Sequence, residues 1–145
     1  GEDDPGDDRE KEITKGGVTM HTFEELMSVV ETLRSEQGCS WDRKQTFESL
    51  KPCLLDEARE VAEAVDKQDM NNLCEELGDV LFNVLIYSQI AKENGYFDLK
   101  DVVDGVCEKM IRRHPHVFGD PKSLSAEESL DLWNDIKKQE KNEKP

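Results

Sequence analysis

The segment from residue 71 to residue 93 constrains the fold more than any other part of the chain. It predicts one long helix whose middle is apolar around nearly the whole circumference. The apolar positions are Leu77, Val80, Leu81, Phe82, Val84, Leu85 and Ile86. A helix that is apolar on every side is buried on every side, and a chain of 145 residues has little to cover it with. We therefore expect an oligomer, in which a second subunit covers one side of this helix.

A polar stripe interrupts this apolar helix. It consists of Glu76, Asp79 and Asn83, while the preceding predicted helix carries a second acid pair, Glu57 and Glu60. Residues three apart share a helix face, so each pair presents two carboxylates in one direction. Burying carboxylates on such a helix is costly unless they are paired or bind a metal ion.

The two acid pairs are placed to meet. A turn signal at residues 67–69 lies about ten residues after the first pair and about nine before the second, so in an antiparallel hairpin the pairs differ in height by roughly 1.5 Å. Four carboxylates at one level repel each other or take up protons unless a cation compensates them. A hard divalent cation with oxygen ligands is the natural partner. For the first pair taken alone, a solvated helix face is the alternative interpretation.

Composition limits the classes of partner. The net charge of −15, with 37% charged residues, argues against general binding of nucleic acid or of an anionic membrane. It allows a phosphorylated small molecule if a metal ion and a few Arg or Lys side chains neutralise the phosphates. No apolar run reaches the roughly 20 residues that span a bilayer, and no signal peptide is visible. We therefore expect a cytoplasmic protein.

The four cysteines are widely spaced and form no C-x-x-C motif, which argues against a zinc site. We expect free thiols in a reducing compartment, mostly in or near the core. They are Cys39, Cys53, Cys74 and Cys107.

The periodicity predicts an all-α fold. Residues 1–18 are expected to be a disordered acidic leader, either native or left from cloning, and residues 19–145 a single helical domain. Four helices would form a four-helix-bundle-like core, and a fifth would follow at the C-terminus. The first predicted helix begins at Thr22, and the next two cover residues 49–65 and 71–93. The fourth starts after its N-cap Asp98 and ends with residues 112–115, and the fifth opens with a capping box at Ser125. Residues 38–46 and 115–124 are predicted loops, and Gly38 is expected to end the first helix.

Helical spacing also predicts the inward faces of two helices. The second helix is expected to bury Leu54, Ala58, Val61 and Val65, and the fourth Leu99, Val102, Val103, Val106 and Met110.

Four sequence blocks occur in order along the chain. They are Gly38–Asp42 with Gln45 and Thr46, the two acid pairs, Arg112–Asp120, and Trp133 with Ile136 and Lys137. With these blocks, residues 23–141 resemble a MazG-type nucleoside triphosphate pyrophosphohydrolase, of the all-α pyrophosphatase superfamily that also includes dimeric dUTPases. The family patterns E-E-x-x-E and G-C-P-W-D are each changed at one position, where Asp56 and Ser40 stand.

The resemblance implies hydrolysis between the α- and β-phosphates of a nucleoside triphosphate, giving the monophosphate and pyrophosphate. It implies that Glu57, Glu60, Glu76 and Asp79 bind Mg²⁺, with Mn²⁺ as a substitute. Such an ion polarises phosphate oxygens and lowers the pKa of a bound water. Either Glu57 or Glu60 would act as the base that orients the water, and the sequence does not separate them.

In such an enzyme, other residues are candidates for substrate contacts. Trp41 could stack on the base, a mode that tolerates any base. Asn83 could orient a ligand or a water. Lys109, Arg112 and Arg113 could neutralise phosphate charge, with arginine able to bind oxygens in a bidentate fashion.

Each of these residues has a structural alternative. Trp41 could fill the core, Asn83 could make a hydrogen bond between helices, and the two arginines could complement a helix dipole. His114 and His116 resemble a ligand pair, but a structural turn is the favoured interpretation. Trp133 is interpreted as a packing anchor.

Three functions are compatible with the sequence. The leading hypothesis is a Mg²⁺-dependent enzyme that cleans canonical or aberrant (d)NTPs from nucleotide pools, acting as a homodimer or homotetramer. The second is a relative that prefers dUTP or dCTP. The third is a helical dimer that binds nucleotide without turnover, although intact acids at all four positions argue against it. The preferred base and sugar and the number of metal ions are not legible in the sequence.

Overall fold

The computed structural model describes residues 21–143, and all regular secondary structure in that range is helical. The helices are α1 (Phe23–Leu33), α2 (Ser40–Lys44), α3 (Lys51–Asp66), α4 (Met70–Glu93), α5 (Leu99–Arg113), α6 (Pro115–Phe118) and α7 (Ala126–Glu143). The predicted all-α fold is confirmed. The leader predicted for residues 1–18 lies outside the described residues, and the single domain over residues 19–145 stays a prediction. None of these seven helices combines the length and the apolarity that crossing a membrane requires.

The chain divides between Tyr96 and Phe97 into two compact units. In the first unit, α3 and α4 pack against each other as a hairpin, and α1 packs on α4. In the second unit, α5 contacts both α6 and α7. The hairpin is the element that positions the predicted acid pairs.

A three-residue turn joins α3 to α4 where the sequence predicts it. The Asp69 carboxylate accepts a hydrogen bond from the backbone N–H of Asn72 at 3.2 Å and so caps the first turn of α4. Gln68 has a φ of 55°, in the left-handed region that lets the chain reverse within a short turn. The boundaries of both helices agree with the predicted ones within about two residues, which is the usual uncertainty at helix ends.

The core of the first unit is small and lies along α4. Its fully buried apolar residues are Val30, Leu50, Ala64, Leu85, Ile86, Ile90 and Ala91. The predicted inward face of α3 is partly wrong, since Val65 is 52% exposed and Ala58 is also exposed. The buried stripe instead runs through Leu54, Val61 and Ala64, a phase that turns Val65 about 100° away from the neighbouring helix.

The apolar middle of α4 is only partly covered in a single chain. Leu77, Leu81 and Val84 are 51%, 39% and 37% exposed, while Leu85 and Ile86 are buried. The oligomer that the sequence predicts would cover the exposed side, and it stays a prediction.

In the second unit, α5 begins with a reciprocal capping box between Asp98 and Asp101. The predicted inward face of this helix is partly wrong, because Val103 and Val106 are about half exposed. The second unit has only α6 and α7 to pack on α5, too little to bury a complete helix face. The capping box predicted at Ser125 is confirmed by its hydrogen bonds with Glu128.

The predicted loops contain two short helices. Residues 38–46 hold the five-residue α2, and residues 115–124 hold the four-residue α6. The first helix also ends earlier than predicted, at Leu33 rather than near Gly38. A side chain at Gly38 would overlap the carbonyl oxygens of Thr32 and Leu33, so this glycine serves the close return of the chain after α1.

All four cysteines are free thiols, as predicted. The expectation that they lie mostly in the core is wrong for Cys74 and Cys107, which are exposed. Cys39 and Cys53 are half-buried.

Candidate metal centre

The α3–α4 hairpin brings acidic side chains of both helices together. One carboxylate oxygen each of Glu57, Glu76 and Asp79 lies within 4.8 Å of the other two. The fourth predicted ligand, Glu60, lies one turn along α3 and is not part of this group of three, although it is close enough to Glu76 to raise the pKa of that carboxyl group. The first two acids of the group of three are half-buried and Asp79 is exposed, so the cluster has one buried and one open side.

Two oxygen atoms of this cluster are buried and have no hydrogen-bond partner within residues 21–143. They are Oε2 of Glu57 and Oε2 of Glu76. A buried acceptor without a donor is costly, and native proteins satisfy nearly all such groups. A proton between the two carboxyl groups would satisfy them in part. A hard cation would satisfy both, and a donor set made of carboxylates alone fits Mg²⁺ or Mn²⁺ rather than zinc.

The pKa values of the cluster record the same crowding. The pKa of Glu76 is raised to about 7, first by its hydrogen bond with Glu60, then by burial and by the neighbouring Glu57. Burial is the main cause that raises the pKa of Glu57, and the charges of Glu60 and Asp79 add to it. Without a cation, the cluster therefore retains a proton near neutral pH. Binding of a cation would displace that proton.

Asn83 lies one turn beyond Asp79 and is buried. Its side-chain nitrogen donates a hydrogen bond to the backbone oxygen of Asp79 at 2.9 Å, within α4 rather than to another helix. The amide nitrogen is therefore committed to the helix that carries two of the acids, and the side-chain oxygen is the atom left for a ligand.

Trp41 lies on the short helix α2 in the first unit. Its side chain is 58% exposed, so the alternative in which it fills the core is wrong. Its backbone oxygen accepts a hydrogen bond from the side-chain amide of Gln45 at 2.9 Å. An exposed indole on a turn with a fixed backbone is available to stack on a ligand.

The predicted phosphate-binding cations lie in the second unit. Arg112 and Arg113 donate to the two carboxylate oxygens of Glu140, at 2.5 Å and 2.9 Å. This pairing lowers the pKa of Glu140 to about 2, so its carboxylate is charged throughout the physiological range. The guanidinium of Arg113 also lies 4.7 Å from the ring centre of Trp133. Lys109 is exposed.

Glu140 was not singled out from the sequence. It lies 27 residues from Arg113 in a highly charged helix, and nothing in its local pattern distinguishes it from the other acids there. The two arginines do lie in the last turn of α5, where positive charge complements the helix dipole.

The histidines of the second unit fit the structural interpretation. Nδ1 of His114 lies 2.6 Å from the backbone oxygen of Met110, across the end of α5. The ring of Trp133 meets His114 edge to face with centroids 5.4 Å apart, which fits a packing anchor. Nδ1 of His116 is buried and finds no hydrogen-bond partner in the part of the chain that the structure describes.

A helical hairpin with carboxylates from both helices at one point defines the class of the protein: an all-α protein with a candidate carboxylate metal centre. The family model described as the MazG nucleotide pyrophosphohydrolase domain matches residues 45–118, which include the whole hairpin. The chain belongs to this family, and the resemblance found in its sequence is confirmed.

Three relatives illustrate the match. The chain is 53% identical over 122 residues to "Nucleoside triphosphate pyrophosphohydrolase/pyrophosphatase MazG" of Thermotoga maritima, covering 84% of this chain and 46% of that protein. It is 40% identical over 126 residues to the nucleoside triphosphate pyrophosphohydrolase of Escherichia coli strain K12, covering 86% of this chain and 48% of that protein. The crystal structure of a MazG-related protein from Thermotoga maritima superposes with a TM-score of 0.67 at 37% identity, covering 79% of this chain and 98% of that one. The chain thus spans less than half the length of the two named enzymes.

Proposed function

We propose that this chain is a nucleoside triphosphate pyrophosphohydrolase that cleaves between the α- and β-phosphates and releases the monophosphate and pyrophosphate. The acid cluster of the α3–α4 hairpin carries this proposal, because two of its oxygens are buried and no donor among the described residues reaches them. The names of the Thermotoga maritima and Escherichia coli relatives support the reaction.

The cofactor proposed for this reaction is Mg²⁺, with Mn²⁺ as a substitute. Glu57, Glu76 and Asp79 would hold it, because their oxygens converge from two helices and no donor among the described residues reaches the buried ones. Glu60, one turn along α3 from Glu57, would complete the set. When bound, the ion would neutralise these carboxylates, polarise the phosphate oxygens and acidify a water. Either Glu57 or Glu60 would accept the proton of the attacking water.

Further side chains are proposed as substrate contacts. Trp41 would stack on the base, since its indole is exposed. Arg112, Arg113 and Lys109 would neutralise phosphate charge. Because Glu140 already pairs with both arginines, the phosphates would compete with this carboxylate for the same N–H groups.

The proposed assembly is a homodimer or homotetramer in the cytoplasm, acting on canonical or aberrant (d)NTPs. Leu77, Leu81 and Val84 lie at helical spacing on one face of α4 and are exposed, which supports self-association, because contiguous exposed apolar surface marks interaction sites.

A panel of nucleoside triphosphates incubated with Mg²⁺ tests the proposal, with pyrophosphate and orthophosphate measured separately. We expect pyrophosphate and the monophosphate in equal amounts. Asp79→Asn should lower the rate by at least about 100-fold while the helical signal persists, since it removes a predicted metal ligand. Glu75→Gln is the matched control, since Glu75 is an exposed acid on the same helix outside the cluster.

The outcomes separate the three functions. Release of orthophosphate, or equal rates for Asp79→Asn and wild type, would overturn the proposed reaction and ligand set. Turnover of dUTP or dCTP alone would select the narrow-specificity alternative. Nucleotide binding with no release of pyrophosphate would select the non-catalytic alternative.

A further inference from the structure

Arg34 makes an unusual set of contacts at the end of α1. Its side chain is only 8% exposed, although arginine is normally a surface residue. Its Nε and one terminal nitrogen donate to the two carboxylate oxygens of Glu93, at 3.0 Å and 2.7 Å. The other terminal nitrogen donates to the backbone oxygens of Asp42 and Gln45, at 2.6 Å and 3.0 Å.

These contacts tie three parts of the first unit together. Arg34 follows the last residue of α1, Glu93 is the last residue of α4, and the two backbone oxygens lie in and directly after α2. The bidentate pair with Glu93 fixes the plane of the guanidinium, so the remaining nitrogen points at α2 in one orientation. Arg34 also holds the pKa of Glu93 below its usual value, which keeps the pair charged.

The segment held in this way is the one that carries Trp41. Asp42 directly follows the tryptophan, and Gln45, whose backbone oxygen Arg34 binds, returns its side-chain amide to the Trp41 backbone oxygen at 2.9 Å. Ser49 extends the network by donating to the Gln45 side-chain oxygen at 2.8 Å. The backbone around Trp41 is therefore fixed from several directions while its indole is exposed.

Five residues of helix do not hold themselves in water, because nucleation costs more than so few hydrogen bonds return. The stability of α2 must therefore come from contacts outside it, and Arg34 supplies two of them from a buried, charged group. We propose that Arg34 is a positioning residue that holds the Trp41 turn, so that the indole is presented to the base of a nucleotide in one orientation. This inference rests on the proposed function, in which Trp41 stacks on the base.

Preorganisation of this kind makes a specific kinetic prediction. A tryptophan that must be ordered on binding weakens the complex but does not touch the reacting phosphates. Arg34→Gln removes the bidentate pair with Glu93 and both hydrogen bonds to the backbone oxygens of Asp42 and Gln45. We expect it to raise KM about tenfold and to change kcat less than about twofold. Lys44→Ala, which removes an exposed cation from the same short helix, is the control and should change neither constant.

The tryptophan itself provides a readout that does not depend on catalysis. In the Trp133→Phe background Trp41 is the only fluorophore of its kind, since the chain has two tryptophans. We expect Arg34→Gln to lower the steady-state anisotropy of the Trp41 fluorescence. We also expect it to raise, about tenfold, the concentration of α,β-methylene-ATP that quenches this fluorescence by half of its maximal extent. If Arg34→Gln fails to fold, Glu93→Gln is the second variant, because it weakens the same bidentate pair by removing the charge of the acceptor. It should also lower the anisotropy of Trp41.

Two results would overturn the proposal. One is an unchanged Trp41 anisotropy in a folded variant, and the other is a lowered anisotropy with an unchanged KM and unchanged quenching. If Arg34→Gln lowers the melting temperature but leaves the Trp41 anisotropy, KM and the quenching unchanged, Arg34 only stabilises the fold. Failure of the wild-type chain to release pyrophosphate would overturn the proposed reaction instead, and the anisotropy and quenching would still decide the role of Arg34.

Discussion

At the scale of single residues, the property that distinguishes the acids of the hairpin is their crowding, which changes the pKa of individual carboxyl groups. Glu76 is the clearest case, because its pKa is raised to about 7 by its hydrogen bond with Glu60, by burial and by Glu57. A carboxyl group with such a pKa destabilises the folded chain when it ionises. A site built to bind a cation has this property in the absence of the cation, since the ligands are held together before the charge that balances them arrives.

This raised pKa predicts how stability depends on pH. Between about pH 4.5 and 7, the folded chain holds a proton at Glu76 that the unfolded chain has released. The free energy of unfolding of the metal-free protein should therefore fall as pH rises through this window, and this contribution should level off above it. Glu76→Gln removes the contribution, so the variant should gain in melting temperature relative to wild type as pH rises.

The measurement is thermal unfolding in EDTA at pH 5.5 and pH 8 for wild type, Glu76→Gln and the control Glu75→Gln. The difference between Glu76→Gln and wild type should be larger at pH 8. For the control Glu75→Gln, the difference in melting temperature from wild type should be the same at both pH values. The same result for Glu76→Gln would contradict the raised pKa of Glu76.

The residue scale also shows where sequence reasoning ends. The i,i+3 spacing of the acids and the position of the turn were sufficient to predict that two helices bring carboxylates together. The roles of Glu140 and Arg34 could not be predicted from the sequence. Glu140 pairs with Arg113, 27 residues away, and Arg34 pairs with Glu93, 59 residues away, and with a backbone oxygen of a short helix. Long-range contacts of charged residues leave no periodic signal in a highly charged chain.

At the scale of elements, the long helices were predictable and the short ones were not. Helices α3 and α4 span 16 and 24 residues and show several helical periods, whereas α2 and α6 span five and four residues, little more than one turn. The phase of a buried stripe was also hard to predict, as Val65 shows, because alanine at position 64 gives a weak apolar signal beside valine. Packing against α4 determines which face of α3 is buried, and this tertiary effect overrides the local sequence pattern.

The turn between α3 and α4 sets the height at which the acids meet, so its cap is the element that should be tested. Asp69→Ala removes the side-chain acceptor for the Asn72 N–H, and we expect a loss of about 1 kcal/mol in the free energy of unfolding. Urea unfolding followed by circular dichroism measures it. Lys67→Ala, in the same turn, is the control and should stay within about 0.5 kcal/mol of wild type. An equal loss in both variants would show that the cap contributes nothing beyond the general cost of changing this turn.

At the scale of the whole molecule, charge and apolar surface act in opposite directions. A net charge of −15 keeps chains apart in solution, and yet α4 exposes Leu77, Leu81 and Val84 on the helix that carries half of the acid cluster. Fully burying an exposed leucine or valine side chain contributes about 1.5–3 kcal/mol. These three are already about half covered or more, so completing their burial in an interface contributes a part of that value for each of them. Self-association through α4 would also stiffen the helix that holds Glu76 and Asp79, which connects assembly to the site.

Leu81→Glu tests self-association through α4, because it places a charge in the centre of the exposed apolar side of this helix. Light scattering after size exclusion, at about micromolar protein, should give an oligomer for wild type and a shift toward the monomer for the variant, since an unpaired buried charge costs several kcal/mol. Leu55→Glu is the matched control: Leu55 is more exposed than Leu81 but lies on α3, and its variant should keep the wild-type mass. A monomeric wild type would contradict the predicted assembly outright. Equal dissociation of both variants would mean that added negative charge, and not the surface of α4, governs the association.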